Sequence, residues 1–259
     1  MRGEVGTASA AAALPVDEEA LIRAECGGDA ALFRRLAERR RHGEPLAYLL
    51  GWLEYRGRRF AVDPRAYITD PETSHMVDAV VGFLRALPDG EGALVAELGT
   101  GCGAIAISVL MELPQLRLVG LEVDAPAMHL ARENAAAHGV HFDLLQSDLF
   151  SAWGDRPEPR VIFGDLPWGD DTSLYDDGRS ASHYRAMPAA SAFPRDGRTG
   201  MHRAAMLAVR ERGWRCDMFL NFGVLPPAEM VATAEGCAAR MCTILRPRPN
   251  VSILHCRMH

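Results

Sequence analysis

Apolar positions follow two rhythms along the chain. From Ala93 onward, short apolar runs of strand length alternate with stretches whose apolar residues recur at helical spacing. Runs at Ala93–Ala96, Leu116–Val123, Phe142–Gln146, Arg160–Gly164 and Cys216–Phe222 read as strands. Helices are expected from Ala104, over Pro126–His138 and over Gly200–Glu211. Two further strands, Arg240–Leu245 and Val251–Cys256, are joined through Arg246-Pro247-Arg248-Pro249-Asn250. Strand and helix in alternation predict an α/β fold, a mostly parallel sheet with helices on both faces. Residues 169–199, rich in Asp, Ser, Gly and Pro, read as a long loop over the strand ends, where such sheets bind ligands.

Before Ala93 the rhythm is different. Asp17, Glu18 and Glu19 supply first-turn acids to a helix anchored by Leu21 and Ile22, and a second helix is expected over Asp29–Arg41. A hairpin turning near Arg56-Gly57-Arg58 directs Phe60 and Val62 to one face. Met76, Val80, Phe83, Leu84 and Leu87 then mark a helix from Ser74 that Pro88-Asp89-Gly90 stops. The expected organisation is a tail and short helical region over 1–42, a hairpin connector over 43–70 and the α/β domain over 71–259.

Composition narrows the classes. A chain of 259 residues can hold one large domain, or one domain with a small appendage. Its net charge of −6 argues against a nucleic-acid partner, whose phosphates demand a basic face. The six cysteines form no C-x-x-C pair and no zinc-like spacing, so they read as reduced thiols of a cytoplasmic protein with no metal site. The alanine run near the start is too short for a signal peptide, and no segment is long enough to span a membrane. Arg34, Arg35, Arg39, Arg40 and Arg41 read as a solvated face beside Leu32, Phe33 and Leu36 rather than as a contact for an acidic partner.

Chemistry gathers at the strand ends. Glu97-Leu98-Gly99-Thr100-Gly101-Cys102-Gly103 joins a strand to a helix through alternating glycines, which lets a ligand approach bare backbone at a positively polarised helix end. Gly99-x-Gly101-x-x-Ala104 also satisfies the dinucleotide pattern, so nicotinamide dinucleotides and S-adenosylmethionine both remain open on this loop alone. Glu122, followed by Val123, ends the next strand where a carboxylate accepts from ribose hydroxyls, and Asp148 with Leu149 follows the third strand near the place of an adenine amine. Asp165-Leu166-Pro167-Trp168 ends the fourth. There a carboxylate and the Leu166 carbonyl orient an acceptor NH₂, Pro167 stiffens the turn and Trp168 forms a wall.

Taken with Gly43-Glu44-Pro45-Leu46-Ala47-Tyr48-Leu49-Leu50-Gly51, Pro71-Glu72-Thr73 and Gln146-Ser147-Asp148-Leu149-Phe150, these motifs resemble the HemK/PrmC family of glutamine-amide methyltransferases over roughly residues 40 to 259. The resemblance implies a seven-stranded class I methyltransferase (Rossmann-like) domain over 71–259 with S-adenosylmethionine on Glu97, Gly99, Thr100, Gly101 and Gly103. Its ribose then falls at Glu122 and Val123, its adenine near Asp148 and Leu149, and the acceptor at Asp165 to Trp168, with Asp165 also bordering the cofactor.

Family members usually read Asn-Pro-Pro-Tyr at the acceptor turn. An amide both donates and accepts, whereas an ionised Asp165 only accepts and suits a group with donors alone. With Asp170 and Asp171 behind the turn, Thr73 beside it and a short N-terminal region, the expected substrate is a small amine or guanidine. A release-factor glutamine is the first alternative, a catalytically silent binding subunit the second and a dehydrogenase the third.

Overall fold

The computed structural model describes residues 14–169 and 181–258. Asp170, Asp171, Asp176 and Asp177 lie outside the described residues. The N-terminal region is three helices, α1 (Val16–Glu25), α2 (Ala30–Arg41) and α3 (Leu46–Leu50), around Ile22, Cys26, Leu36 and Leu49. Asp29 caps α2 by accepting from the Ala31 and Leu32 amides at 2.8 and 2.9 Å, and three arginines complement the dipole at its other end. Arg40 forks onto Glu18 at 2.7 and 2.8 Å, and Arg39 bonds Glu44 at 2.7 Å. Arg40 therefore ties α2 to α1, and Arg39, on the surface, ties α2 to the turn before α3.

The connector is the expected hairpin, β1 (Trp52–Tyr55) paired with β2 (Arg58–Ala61) through Arg56 and Gly57, both at positive φ. Phe60 and Val62 are buried together. A 3₁₀ turn, Pro71–Thr73, leads into α4 (Ser74–Arg85), whose Met76, Val77, Val80 and Leu84 are fully buried.

The α/β part then runs β3 (Leu94–Leu98), α5 (Ala104–Glu112), β4 (Arg117–Glu122), α6 (Ala125–Ala137), β5 (Asp143–Gln146) and β6 (Val161–Gly164). It continues through α7 (Ala181–Arg185), α8 (Ala189–Ala192), α9 (Gly200–Glu211), β7 (Asp217–Asn221), α10 (Pro227–Gly236), β8 (Arg240–Arg248) and β9 (Val251–Arg257). Seven of these strands form one sheet in the order β5-β4-β3-β6-β7-β9-β8, parallel except at β9. The order reverses beside β3, so a crevice opens at the carboxyl ends of β3, β4 and β6. One apolar cluster, including Val95, Val161 and Phe219, lies on the α4–α5 face, and a second, including Ile162, Met218 and Leu220, lies under α9 and α10.

Three local expectations change. Where a loop over 169–199 was expected, the described residues from 181 onward include two short helices. Pro188 starts α8, and buried Tyr184, Met187 and Ala192 pin the segment, but four or five residues are too few to display a period. Helix α10 is missed because it buries only Met230 and Ala234 among small residues. Strand β8 reaches Arg248 because Arg248 pairs with Val251 beyond a bulge. Among the described residues, no helix is long and apolar enough to cross a membrane.

Candidate active site

Strands β3, β4, β6 and β7 end on one cavity of about 230 Å³. Its first wall is the glycine loop. Gly99, Gly101 and Gly103 all have positive φ, a conformation that side chains resist, and Gly99 and Gly101 line the cavity together with Leu98 and Thr100. Glu122, 4% exposed, sits opposite. One of its oxygens accepts from the Gly101 amide at 2.8 Å and the other from the Asp124 amide at 3.0 Å, while burial pushes its carboxyl above the ordinary range. Each oxygen keeps a further lone pair for a ligand.

Glycines in the strands allow this proximity. A Cβ on Gly120 would lie 2.6 Å from the Thr100 hydroxyl, and one on Gly164 would lie 2.6 Å from the Leu98 carbonyl. From behind, Asn134 on α6 bonds both the Cys102 carbonyl, at 2.8 Å, and the backbone of Ala61. The hairpin connector is thereby fastened to the back of the glycine loop.

Two of the residues expected at the cofactor stand back from the cavity. Glu97 lies buried in β3, where burial pushes its carboxyl well above the ordinary range. Gly103 starts α5 and packs on Ala131, which a Cβ would approach to 3.3 Å. Val123, Ser147, Asp148 and Leu149 border the far end of the cavity. Leu149 is held at φ +48°, and exposed Asp148 pairs with Arg195 at 2.8 Å.

The second wall is the turn after β6. Asp165 is half-buried, and its Oδ1 accepts from Asn221 Nδ2 at 2.7 Å. Burial, together with the nearby charge of Asp70, pushes its carboxyl up to about 7 against the lowering effect of the Asn221 bond. Leu166, Pro167 and Trp168 line the cavity beside it. Trp168 packs against Gly223, where a Cβ would meet the indole at 2.0 Å. Thr73 also lines the cavity, but its hydroxyl is engaged by the Asp70 carbonyl at 2.7 Å and the Tyr55 hydroxyl at 3.2 Å. These bonds hold the turn beside the cavity.

Asn221 and Gly223 escaped the sequence reading. They follow an apolar strand with no motif around them, and only the register of β6 on β7 brings Asn221 to Asp165.

Residues 76–163 match the Methyltransferase small domain model. The chain is 43% identical over 137 residues to a release factor glutamine methyltransferase of Neisseria gonorrhoeae, covering 52% of this chain and 48% of that protein. It is 31% identical over 209 residues to the protein of the same name in Nitratidesulfovibrio vulgaris, covering 79% of this chain and 68% of that protein. The chain thus spans about half the length of one relative and two thirds of the other. Among solved structures, it resembles a T. thermophilus 16S rRNA methyltransferase in complex with AdoMet and guanosine, with a TM-score of 0.55, 16% identity, and coverage of 80% of this chain and 50% of that one.

Proposed function

The chain belongs to the HemK/PrmC family of release factor glutamine methyltransferases, and on that premise we propose that it transfers a methyl group from S-adenosylmethionine to the side-chain amide of a release-factor glutamine. The observation that carries the reading is that Glu122 and Asp165 line one cavity from the ends of β4 and β6, the two strands that flank β3, the first tied to the glycine loop and the second to Asn221.

The residues fit this cofactor. Gly99 and Gly101 leave backbone room for its amino-acid end, the two oxygens of Glu122 accept from a ribose diol, and Val123, Asp148 and Leu149 border the adenine. Bound there, the cofactor supplies an electrophilic methyl on a positively charged sulfur. On the acceptor side, Asp165 and the Leu166 carbonyl receive the two N–H groups of the amide and aim its nitrogen at the methyl, while Trp168, braced by Gly223, closes one face of the site. Asp165 accepts from an amide as well as from an amine, so its presence in place of asparagine is compatible with a glutamine acceptor.

A second reading, a small amine or guanidine, rests on the same carboxylate, because an ionised Asp165 lacks a donor for a glutamine carbonyl. Incubation with release factor and methyl-labelled cofactor, read by peptide mass spectrometry, separates the two. A single methylated glutamine is expected. Label found only on members of an amine and guanidine panel would replace the acceptor, and absence of cofactor binding in calorimetry would leave a binding subunit instead of an enzyme.

A further inference from the structure

Asn221 stands at the end of β7 with all its polar groups committed. Its Nδ2 donates to Asp165 Oδ1 at 2.7 Å, its Oδ1 accepts from the Gly223 amide at 3.3 Å, and its carbonyl accepts from His202 Nε2 at 2.7 Å. The Gly223 contact fixes the orientation of the carboxamide, since a flipped amide would set donor against donor there. His202, fully buried on α9, is kept neutral because burial lowers its pKa to about 4, so its Nε2 proton serves as a fixed donor. Glycine, asparagine and histidine thus hold one oxygen of Asp165 from behind.

We propose that Asn221 is a positioning residue that turns Asp165 so that its second oxygen faces the acceptor nitrogen and takes the proton that this nitrogen sheds during methyl transfer. The inference rests on the reading of the cavity as a methyl-transfer site. In the step, the nitrogen–carbon bond forms and the carbon–sulfur bond of the sulfonium breaks, with its electron pair passing to sulfur. The N–H proton goes to Asp165 Oδ2, leaving an N-methyl amide, a neutral thioether and a carboxylic acid. An asparagine in that place could orient the nitrogen but could not take the proton.

The surroundings of Asp165 suit the task. Asp70, on the segment before the 3₁₀ turn, and burial in the cavity wall both favour its protonated form, and Asn221 opposes them. Tyr55 on β1 stays a neutral phenol, Glu97 on β3 is pushed toward its neutral form by burial, and His202 behind Asn221 is neutral. Near pH 7 the carboxyl therefore lies close to its midpoint, where a group both accepts and releases protons readily. Removing the Asn221 donor destabilises the carboxylate and moves that midpoint to higher pH.

The test uses the full chain with Asn221→Leu, and with Asn221→Ser in case the leucine variant does not fold. Carbon-13 carboxyl NMR on protein labelled at aspartate, without cofactor or acceptor, reads the Asp165 midpoint, assigned by its loss in Asp165→Asn. A shift to higher pH is expected in either Asn221 variant. The pH profile of kcat/KM should move with it, giving turnover about 5-fold lower at pH 7 that recovers toward wild type above pH 9, while cofactor affinity is unchanged. Asp165→Asn should give a low profile that is flat in pH. An unmoved carboxyl midpoint, or a loss of rate uniform across pH, overturns the proposal. If no acceptor is methylated while the midpoint still moves, the methyl-transfer reading fails and the coupling of Asn221 to Asp165 stands.

Discussion

The two walls of the cavity are built on different principles. The cofactor wall is local: Glu97 to Asp124 make one strand–helix–strand unit, and its defining bond, from the Gly101 amide to Glu122, spans 21 residues. Within this unit the contacts are backbone groups, glycine dihedrals and the Glu122 carboxylate, which together fix a shape before most side chains choose a rotamer. The acceptor wall is assembled at long range. Asp165 depends on Asn221, 56 residues away, Trp168 lies on Gly223, and helices α7 and α8 border the opening. A wall made of backbone serves one ligand unchanged, whereas a wall made of paired side chains is where a family can alter its acceptor.

If this division holds, variants on the two walls should separate binding from turnover. The largest effect is expected from Glu122→Ala. It removes both acceptors for the ribose and leaves the Gly101 amide unpaired, so cofactor affinity should fall about 100-fold in calorimetry, with two hydrogen bonds to a charged group contributing about 1.5 kcal/mol each. Asp165→Ala should leave that affinity within about 2-fold. Equal losses of binding in the two variants would break the division.

Next comes the pH dependence of stability at the acceptor wall. The folded-state pKa of Asp165 is raised to about 7 from an ordinary 3.8, so the folded protein binds the extra proton between those values and stability falls as pH rises through them. Asp165→Asn keeps an acceptor for Asn221 and removes the titration. The variant should therefore melt about 5 °C above wild type at pH 8, with the difference vanishing by pH 4. His202 works with the opposite sign. Its folded pKa of about 4 lies below the ordinary 6.5, so its contribution is lost as pH falls through that window, equally in both proteins.

Legibility in the sequence followed the same division. The glycine pattern, Glu122 and the alternation of strands and helices are written in consecutive residues, and the sheet and the meeting of the glycine loop with Glu122 at its strand ends could be read from them. Even there, sequence spacing did not tell that Glu97 and Gly103 would stand behind the wall, because position in a motif does not reveal which way a residue faces. The Asp165 turn was visible as a departure from the family pattern. Its partner was not, since Asn221 meets it only through the parallel pairing of Phe163 with Phe219 and Gly164 with Leu220. Asn134, joining the hairpin to the glycine loop across 73 residues, was hidden for the same reason. The preference for a small substrate leaned on Asp165, the acidic residues behind its turn and the short N-terminal region, and the relatives favour the glutamine acceptor instead.

A smaller effect is expected at Gly223. Its φ of +54° and the indole pressed against it leave no room for a methyl group, so Gly223→Ala must displace Trp168 or shift the turn, at a cost of about 1–3 kcal/mol in chemical denaturation. Because Trp168 belongs to the acceptor wall, KM for the acceptor should rise while cofactor affinity stays at the wild-type value.

The smallest effect tests the one described ion pair that crosses between the walls. Arg195, from the segment between α8 and α9, reaches Asp148 at 2.8 Å, and both side chains are about half exposed or more, at 62% and 48%. Solvent and salt screen such a pair, so Arg195→Ala should change stability by less than about 1 kcal/mol. Loss of the arginine frees the carboxylate to accept from the adenine amine, and cofactor affinity should stay level or tighten by up to about 3-fold. A fall of 10-fold or more would mean that Arg195 itself grips the cofactor, and a residue assigned to the acceptor side would then belong to both walls.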